Sequence, residues 1–300
     1  MPDDTLPWIP LRSALLSAQI NPVGAQLSIL RDRHGNDLLW HGDAAFWAGR
    51  APVLFPIVGT LAGGNYRLGN DRYALSRHGF ARGKTFETVS ATESNARFRL
   101  RADESTRAVY PFRFALELDF ALEGAKLTVT ASVRNEGDTP MPASIGFHPG
   151  FRWPLPYGHD RASHAIRFEQ DEPGNVYRIN GDGLLAQPPQ ATPVVDRRLA
   201  LVDDLFRNDV LILEQPRSKS LRYGAEGGPQ LEIGFPDSTW LGLWTRPGAP
   251  FICIEPWQGV TDPAGFAGDF RDKPGVFQVA PGASHSMVMT VAWIDTRPTT

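Results

Sequence analysis

Apolar residues recur at every second position through much of this chain. Between 112 and 122, Phe112, Phe114, Leu116, Leu118, Phe120 and Leu122 fall on one side of an extended backbone. Arg113, Glu117 and Asp119 fall on the other, with Ala115 and Ala121 between them. After Glu123-Gly124-Ala125 the alternation resumes: Leu127, Val129, Ala131 and Val133 against Lys126, Thr128, Thr130, Ser132 and Arg134. Period two on both sides of a short Gly-containing connection predicts a long antiparallel hairpin, dry on one face and wet on the other. The same pattern marks Phe98 and Leu100 among arginines, then Leu231, Ile233 and Phe235, and finally Met287, Met289, Val291 and Trp293. No window longer than three turns keeps a helical apolar stripe free of Gly or Pro. With 29 Gly and 26 Pro spread along the chain, many short strands joined by turns are expected. No fixed-period repeat is present, which disfavours a propeller or solenoid. The polar connections at 171–175 and 181–193 are flanked by renewed alternation and read as long loops inside one unit. The predicted architecture is therefore all-β: a large antiparallel β-sandwich, a single domain over 1–300 with its strands between about 10 and 294.

Composition narrows the function classes. A chain of 300 residues with 42% hydrophobic residues can bury a sizeable core. Its net charge of −3 and scattered arginines give no electrostatic footprint for nucleic acid or an anionic membrane. No stretch is long and apolar enough to span a bilayer. The acidic start, MPDDTLPWIPLRS, is unlike a signal peptide, so a cytoplasmic location is expected. The single cysteine, Cys253, excludes an intrachain disulfide, and within FICIEP it reads as a small buried hydrophobe.

Four stretches interrupt the alternation: RAPVLFPIVG (50–59), RHGFAR (77–82), GFHPGF (146–151) and IEPWQG (254–259). Each sets a titratable group beside Gly, Pro or an aromatic. Apolar surroundings raise a carboxylic acid's pKa and lower an imidazole's, moving both towards neutrality, where general acids and bases work best. His78, His148 and Glu255 are the candidates, with Trp257 as the aromatic that could stack on a sugar face. The other histidines, His34, His41, His159, His164 and His285, sit in polar or turn-like surroundings and receive no role. Two His and a carboxylate can ligate a metal. Neither His, however, has a second ligand within the two to four residues that local metal motifs supply. No nucleophile elbow or phosphate-cradling loop is present.

RHGFAR, GFHPGF and IEPWQG resemble, in order and rough spacing, the three signature segments of the aldose 1-epimerases, or galactose mutarotases. APVLFPIVG resembles the Pro-Leu-Phe-Pro opening of one bacterial branch. The resemblance runs from about Asn21 to Ile294. It implies the galactose mutarotase-like supersandwich and a cofactor-free isomerase acting on the anomeric carbon of a sugar. It implies roles too: His78 binds sugar hydroxyls, His148 is the general acid towards the ring oxygen, and Glu255 is the base towards the C1 hydroxyl. A substrate-binding aspartate is implied in the third quarter of the chain. Asp209 in FRNDVLIL fits, with Asp203 and Asp204 as rivals. Where this branch often has an arginine the chain has Thr60, so either Arg50 or Arg82 takes over that contact with substrate or the choice of substrate differs.

The implied partner is a small sugar, with neither nucleic acid nor membrane, acting on a monomer or homodimer. Acid and base are expected on opposite sides of the ring, in one cleft walled by Trp257 or Phe151. The expected pH–rate profile is bell-shaped, its low limb set by Glu255 and its high limb by His148. Three alternatives stay open: a non-catalytic sugar-binding module, a metal-dependent isomerase, and an epimerase of hexose 6-phosphates whose phosphate is held by arginines.

Overall fold

A computed structural model of the chain describes residues 6–295; the outermost five at each end of the 1–300 unit lie outside them. Among the described residues the only α-helix is the single turn Glu104–Arg107, and almost everything else ordered is antiparallel strand. The largest sheet has nine strands. Across it run Arg198–Ala200, His164–Phe168, Ser220–Ala225, Gln230–Gly234, Ser284–Ile294, Lys126–Asn135, Phe114–Glu123, Asn95–Arg101 and Glu87–Ala91. A second sheet, of seven strands, centres on Phe251–Gln258, which is flanked by Trp240–Trp244 on one side and by Ile145–Phe147 and Gly150–Arg152 on the other. A three-stranded sheet over residues 9–32, the hairpin of Asn65–Leu68 with Asp71–Ala74 and a long-range pairing of Met141–Ala143 with Phe277–Val279 complete the framework.

The predicted hairpin is present. Phe114–Glu123 pairs with Lys126–Asn135 in a register that sets Phe114 opposite Asn135 and Glu123 opposite Lys126. The connection is thus two residues, Gly124-Ala125, rather than three, with Gly124 in the left-handed region (φ 54°) that such tight turns use. Phe112 is buried but precedes the strand, because the chain turns at Tyr110–Phe112 before entering the sheet. Phe114, Leu116, Leu118 and Phe120 join one apolar cluster with Phe147, Phe151, Ile252 and Ile254 of the seven-stranded sheet, so the two sheets share a core. On the wet face Arg97 stands opposite Asp119 and Arg99 opposite Glu117, each pair bridged at 2.6 Å.

Phe251–Gln258 differs: all eight of its residues are buried. Ile252 and Ile254 face the shared core, while Phe251, Cys253 and Trp257 pack into two smaller clusters on the opposite side. That second face is covered by loops rather than by water, and there the functional groups gather.

Candidate active site

Glu255 projects from the middle of the central strand, opposite Gly242 of one neighbour. On the other side the ladder is interrupted. Ile145 and Gly146 pair with Gln258 and Trp257, and pairing resumes at Gly150 with Cys253. Within that gap the His148 amide donates to Pro52 O (3.1 Å) and the Ile254 amide to Pro149 O (3.2 Å). The break turns His148 across the strand, so that its Nε2 lies 3.1 Å from Glu255 Oε2. The alignment leaves Glu255 Oε2 without a hydrogen bond.

His78 reaches the same place from a turn in which it adopts φ 68°, a costly conformation for a residue with a Cβ. Two bonds to Gly59 hold it: the His78 amide donates to Gly59 O (2.8 Å), and the Gly59 amide donates to His78 Nδ1 (3.1 Å). An accepting Nδ1 keeps the ring proton on Nε2, so His78 offers a donor from its other nitrogen. Its ring meets that of His148 edge to face at 5.6 Å.

The cleft has a volume of about 1000 Å³ and is lined by His78, His148, Asp209, Glu255 and Trp257, among others. At its floor Glu255 is 1% exposed, His78 6% and His148 8%. Burial pushes the Glu255 carboxyl well above the usual carboxylate range, with Arg77 opposing and Asp209 adding to the effect. Burial likewise pulls the His148 imidazole down to about 3, against a contact with its own backbone, and Arg77 and Arg82 add to the drop. His78 is held well below its usual value, first by burial and then by His148 and the same two arginines. Both shifts favour the uncharged forms, a protonated Glu255 beside a neutral His148 imidazole.

The aldose 1-epimerase family model matches residues 9–228. The chain belongs to the aldose 1-epimerase family. Chromosomal protein LacX of Lactococcus lactis subsp. lactis is 30% identical over 283 residues, 91% of this chain and 95% of LacX. Among solved structures, a galactose mutarotase related enzyme from Lactobacillus acidophilus superposes with a TM-score of 0.91 at 28% identity, covering 98% of this chain and 99% of that one. A galactose mutarotase-like protein from Lactobacillus casei ATCC 334 gives a TM-score of 0.89 at 26% identity, over 96% of this chain and all of that one. The family match holds His78 and His148 and ends before Glu255, which lies in the stretch that the structural neighbours cover almost completely.

Most residues expected at an aldose epimerase site line this cleft. Asp209 does, at φ 64° ahead of the strand Leu211–Glu214, whereas its rivals are engaged elsewhere. Asp203 takes two 2.8 Å bonds from Arg161 and one from the Gly248 amide, and Asp204 pairs with Arg207. Arg82 lines the cleft. Arg50 does not: its guanidinium donates to Ser28 O (2.8 Å) and stacks over Trp8, so the expectation for Arg50 is corrected. Trp257 is on the wall, pressed over Gly146 and Gly242, which have no side chains to obstruct it. Phe151 is not, because it points from its strand into the shared core.

Trp47 was not singled out by sequence, yet it stacks on His148 with ring centroids 4.9 Å apart and planes 24° from parallel. Trp244 meets the same imidazole edge-on at 5.9 Å. A Cβ on Gly150 would meet the Trp47 ring at 3.0 Å, so the second glycine of GFHPGF makes room for this aromatic. The loop expected at 181–193, together with residues 178–180 just before it, forms another wall. Arg178 donates to Asp209 O (3.2 Å), and the Thr261 hydroxyl donates to Gly183 O (2.6 Å), fastening the loop beside Thr60. No local pattern marks Trp47 or Arg178, because each gains its place from a loop folded over a distant strand. Among the described residues no helix is long and apolar enough to cross a membrane.

Proposed function

We propose that this family member interconverts the α and β anomers of a hexose by general acid–base opening and closing of the ring, as one domain over 1–300 and without a cofactor. The observation carrying this reading is the buried His148–Glu255 pair, 3.1 Å apart at the floor of a cleft roomy enough for a sugar. The two groups stand side by side rather than on opposite faces of a ring. That suits the chemistry, since the C1 hydroxyl and the ring oxygen are bonded to the same carbon.

In ring opening, Glu255 as carboxylate takes the proton of the C1 hydroxyl while His148 as imidazolium gives one to the ring oxygen. The C1–O5 bond breaks, C1 becomes the aldehyde, and the pair is left as neutral acid and neutral imidazole. Rotation about C1–C2 presents the other aldehyde face. In closure the O5 hydroxyl returns its proton to His148 and Glu255 protonates the aldehyde oxygen. The cycle moves protons without consuming any.

Burial favours the ring-closing form in the free protein, GluH with neutral His. Transfer of that proton from Glu255 to His148 converts it to the ring-opening form at unchanged net charge. The Trp47 face stabilises the imidazolium so formed. Each proton transfer contributes a factor of about 10²–10⁴, and fixing both groups at C1 adds orientation. His78 Nε2–H and Asp209 hold hydroxyls. The limbs of the pH–rate profile belong to the pair. The acidic limb is uptake of a second proton by a site whose His148 resists it; the alkaline limb is loss of the proton that Glu255 holds tightly. This reverses the assignment expected from unperturbed groups.

One observation favours a second reading, a phosphorylated hexose. Arg77, Arg82, Arg178 and Arg246 line the cleft, and none is ion-paired among the described residues. Guanidinium groups free of carboxylates can bind a phosphate through paired hydrogen bonds. Anomer-exchange NMR on free and 6-phosphorylated hexoses tests both readings. Accelerated exchange of free sugars supports the first, acceleration of phosphorylated sugars alone supports the second, and acceleration of neither removes both.

A further inference from the structure

Cys253 lies two residues before Glu255 on the same face of the central strand, beneath the proton-transfer pair. Its thiol is free and fully buried. A ring nitrogen of His148, the Cys253 sulfur and a carboxylate oxygen of Glu255 all lie within 4.8 Å of one another, the one such group of three among the described residues. Glu255 Oε2 is buried without a hydrogen-bond partner, so the trio contains a ligand atom that the protein itself does not occupy.

We propose that His148, Cys253 and Glu255 form a zinc site, and that the bound ion reversibly shuts off the proton-transfer pair. The donor set, one imidazole nitrogen, one thiolate and one carboxylate oxygen, suits a borderline-soft divalent ion that prefers four-coordination. Zinc bonds of about 2.0–2.3 Å place tetrahedral ligand atoms roughly 3.3–3.7 Å apart. His148 and Glu255 already approach to 3.1 Å, and inward movement of the sulfur by about 1 Å completes the set. Three protein ligands leave the fourth position to water or a sugar hydroxyl entering from the cleft. Charge balances: one Zn²⁺ enters as two protons leave, that of the thiol and the one shared by His148 and Glu255. A neutral buried site thus stays neutral. With their lone pairs committed to the metal, His148 and Glu255 can neither accept nor deliver a proton. Zinc acts here as an inhibitor.

The inhibitory consequence rests on the proposed mutarotation; the metal site does not, so the test has two arms. Co²⁺ added to the native chain should bind one per chain and give the intense near-ultraviolet absorption of a cobalt–thiolate bond. Cys253→Ala and Cys253→Ser, each shown folded by thermal melting, should lack that absorption. In the second arm Zn²⁺ should suppress anomer exchange and a chelator should restore it. Cys253→Ala should exchange anomers at close to the native rate and require at least about tenfold more zinc for half-inhibition. Absence of the cobalt–thiolate band in the native protein overturns the site whatever the enzyme activity. Equal zinc sensitivity of native and Cys253→Ala proteins overturns the inhibition. A native protein showing the band but no exchange with any sugar overturns the mutarotation reading and its inhibitory corollary, and leaves the zinc site supported.

Discussion

The hairpin Phe114–Asn135 and the strand Phe251–Gln258 are both central elements of large antiparallel sheets, yet they read oppositely. In the hairpin, buried and accessible residues alternate, because one face meets the shared core and the other meets solvent. In the strand every residue is buried, because loops close over the face that would otherwise be wet. The hairpin's charges stand at the surface in cross-strand pairs. The strand's one acid lies under those loops, beside an imidazole and a thiol. The first arrangement stabilises; the second uses burial to favour an uncharged acid beside an uncharged imidazole and to move both pKa values from their ordinary range, which is the mark of a proton-transfer site.

Substitutions can sharpen this contrast. The largest expected effect is on the strand: Glu255→Gln should lower anomer exchange by roughly 10²–10⁴ while leaving sugar binding intact, read by exchange NMR and calorimetry. In the hairpin core, Leu118→Ala should cost about 2–5 kcal/mol in denaturant unfolding and leave KM unchanged. The next effect is a slope with pH. Unfolded His148 takes up a proton near 6.5 and folded His148 only at about 3, so the folded state loses stability as pH falls between those values and not above them. His148→Asn should remove a dependence of roughly 1.4 kcal/mol per pH unit from that window, measurable by melting at stepped pH. Trp47→Leu should reduce kcat about tenfold by removing the face that steadies the imidazolium, with Trp47→Phe recovering part of the loss. The smallest effect belongs to the wet face: Arg99→Gln breaks the bridge to Glu117, should cost under about 1 kcal/mol, and should leave exchange unchanged. An Arg99→Gln enzyme with impaired exchange would break the distinction between the two regions.

The hairpin was legible because water on one side writes period two into the sequence. Phe114, Leu116 and Leu118 show it, and only the length of the turn differed. The strand carries no such rhythm. It was recognisable through the oddity of Glu255 between Ile254 and Pro256, together with similar oddities at His78 and His148. What those residues do to one another was hidden. The contact between His148 and Glu255 comes from a gap in strand pairing, and the order of their protonation comes from burial that no local window contains. Arg50 shows the converse: it adjoins a signature segment, but its side chain turns back to Ser28. Trp47 and Arg178 reach the cleft only because their loops fold across strands far away in sequence.

The last strand of the chain, Ser284–Ile294, inserts between Gln230–Gly234 and Lys126–Asn135, near the middle of the nine-stranded sheet. Until that strand pairs, the sheet exists as two separate halves. Each half meanwhile presents an unpaired edge of the kind that recruits strands from other chains. A nonsense codon shortly before Ser284 removes no residue of the cleft, yet leaves a product whose two halves have lost the strand that joins them.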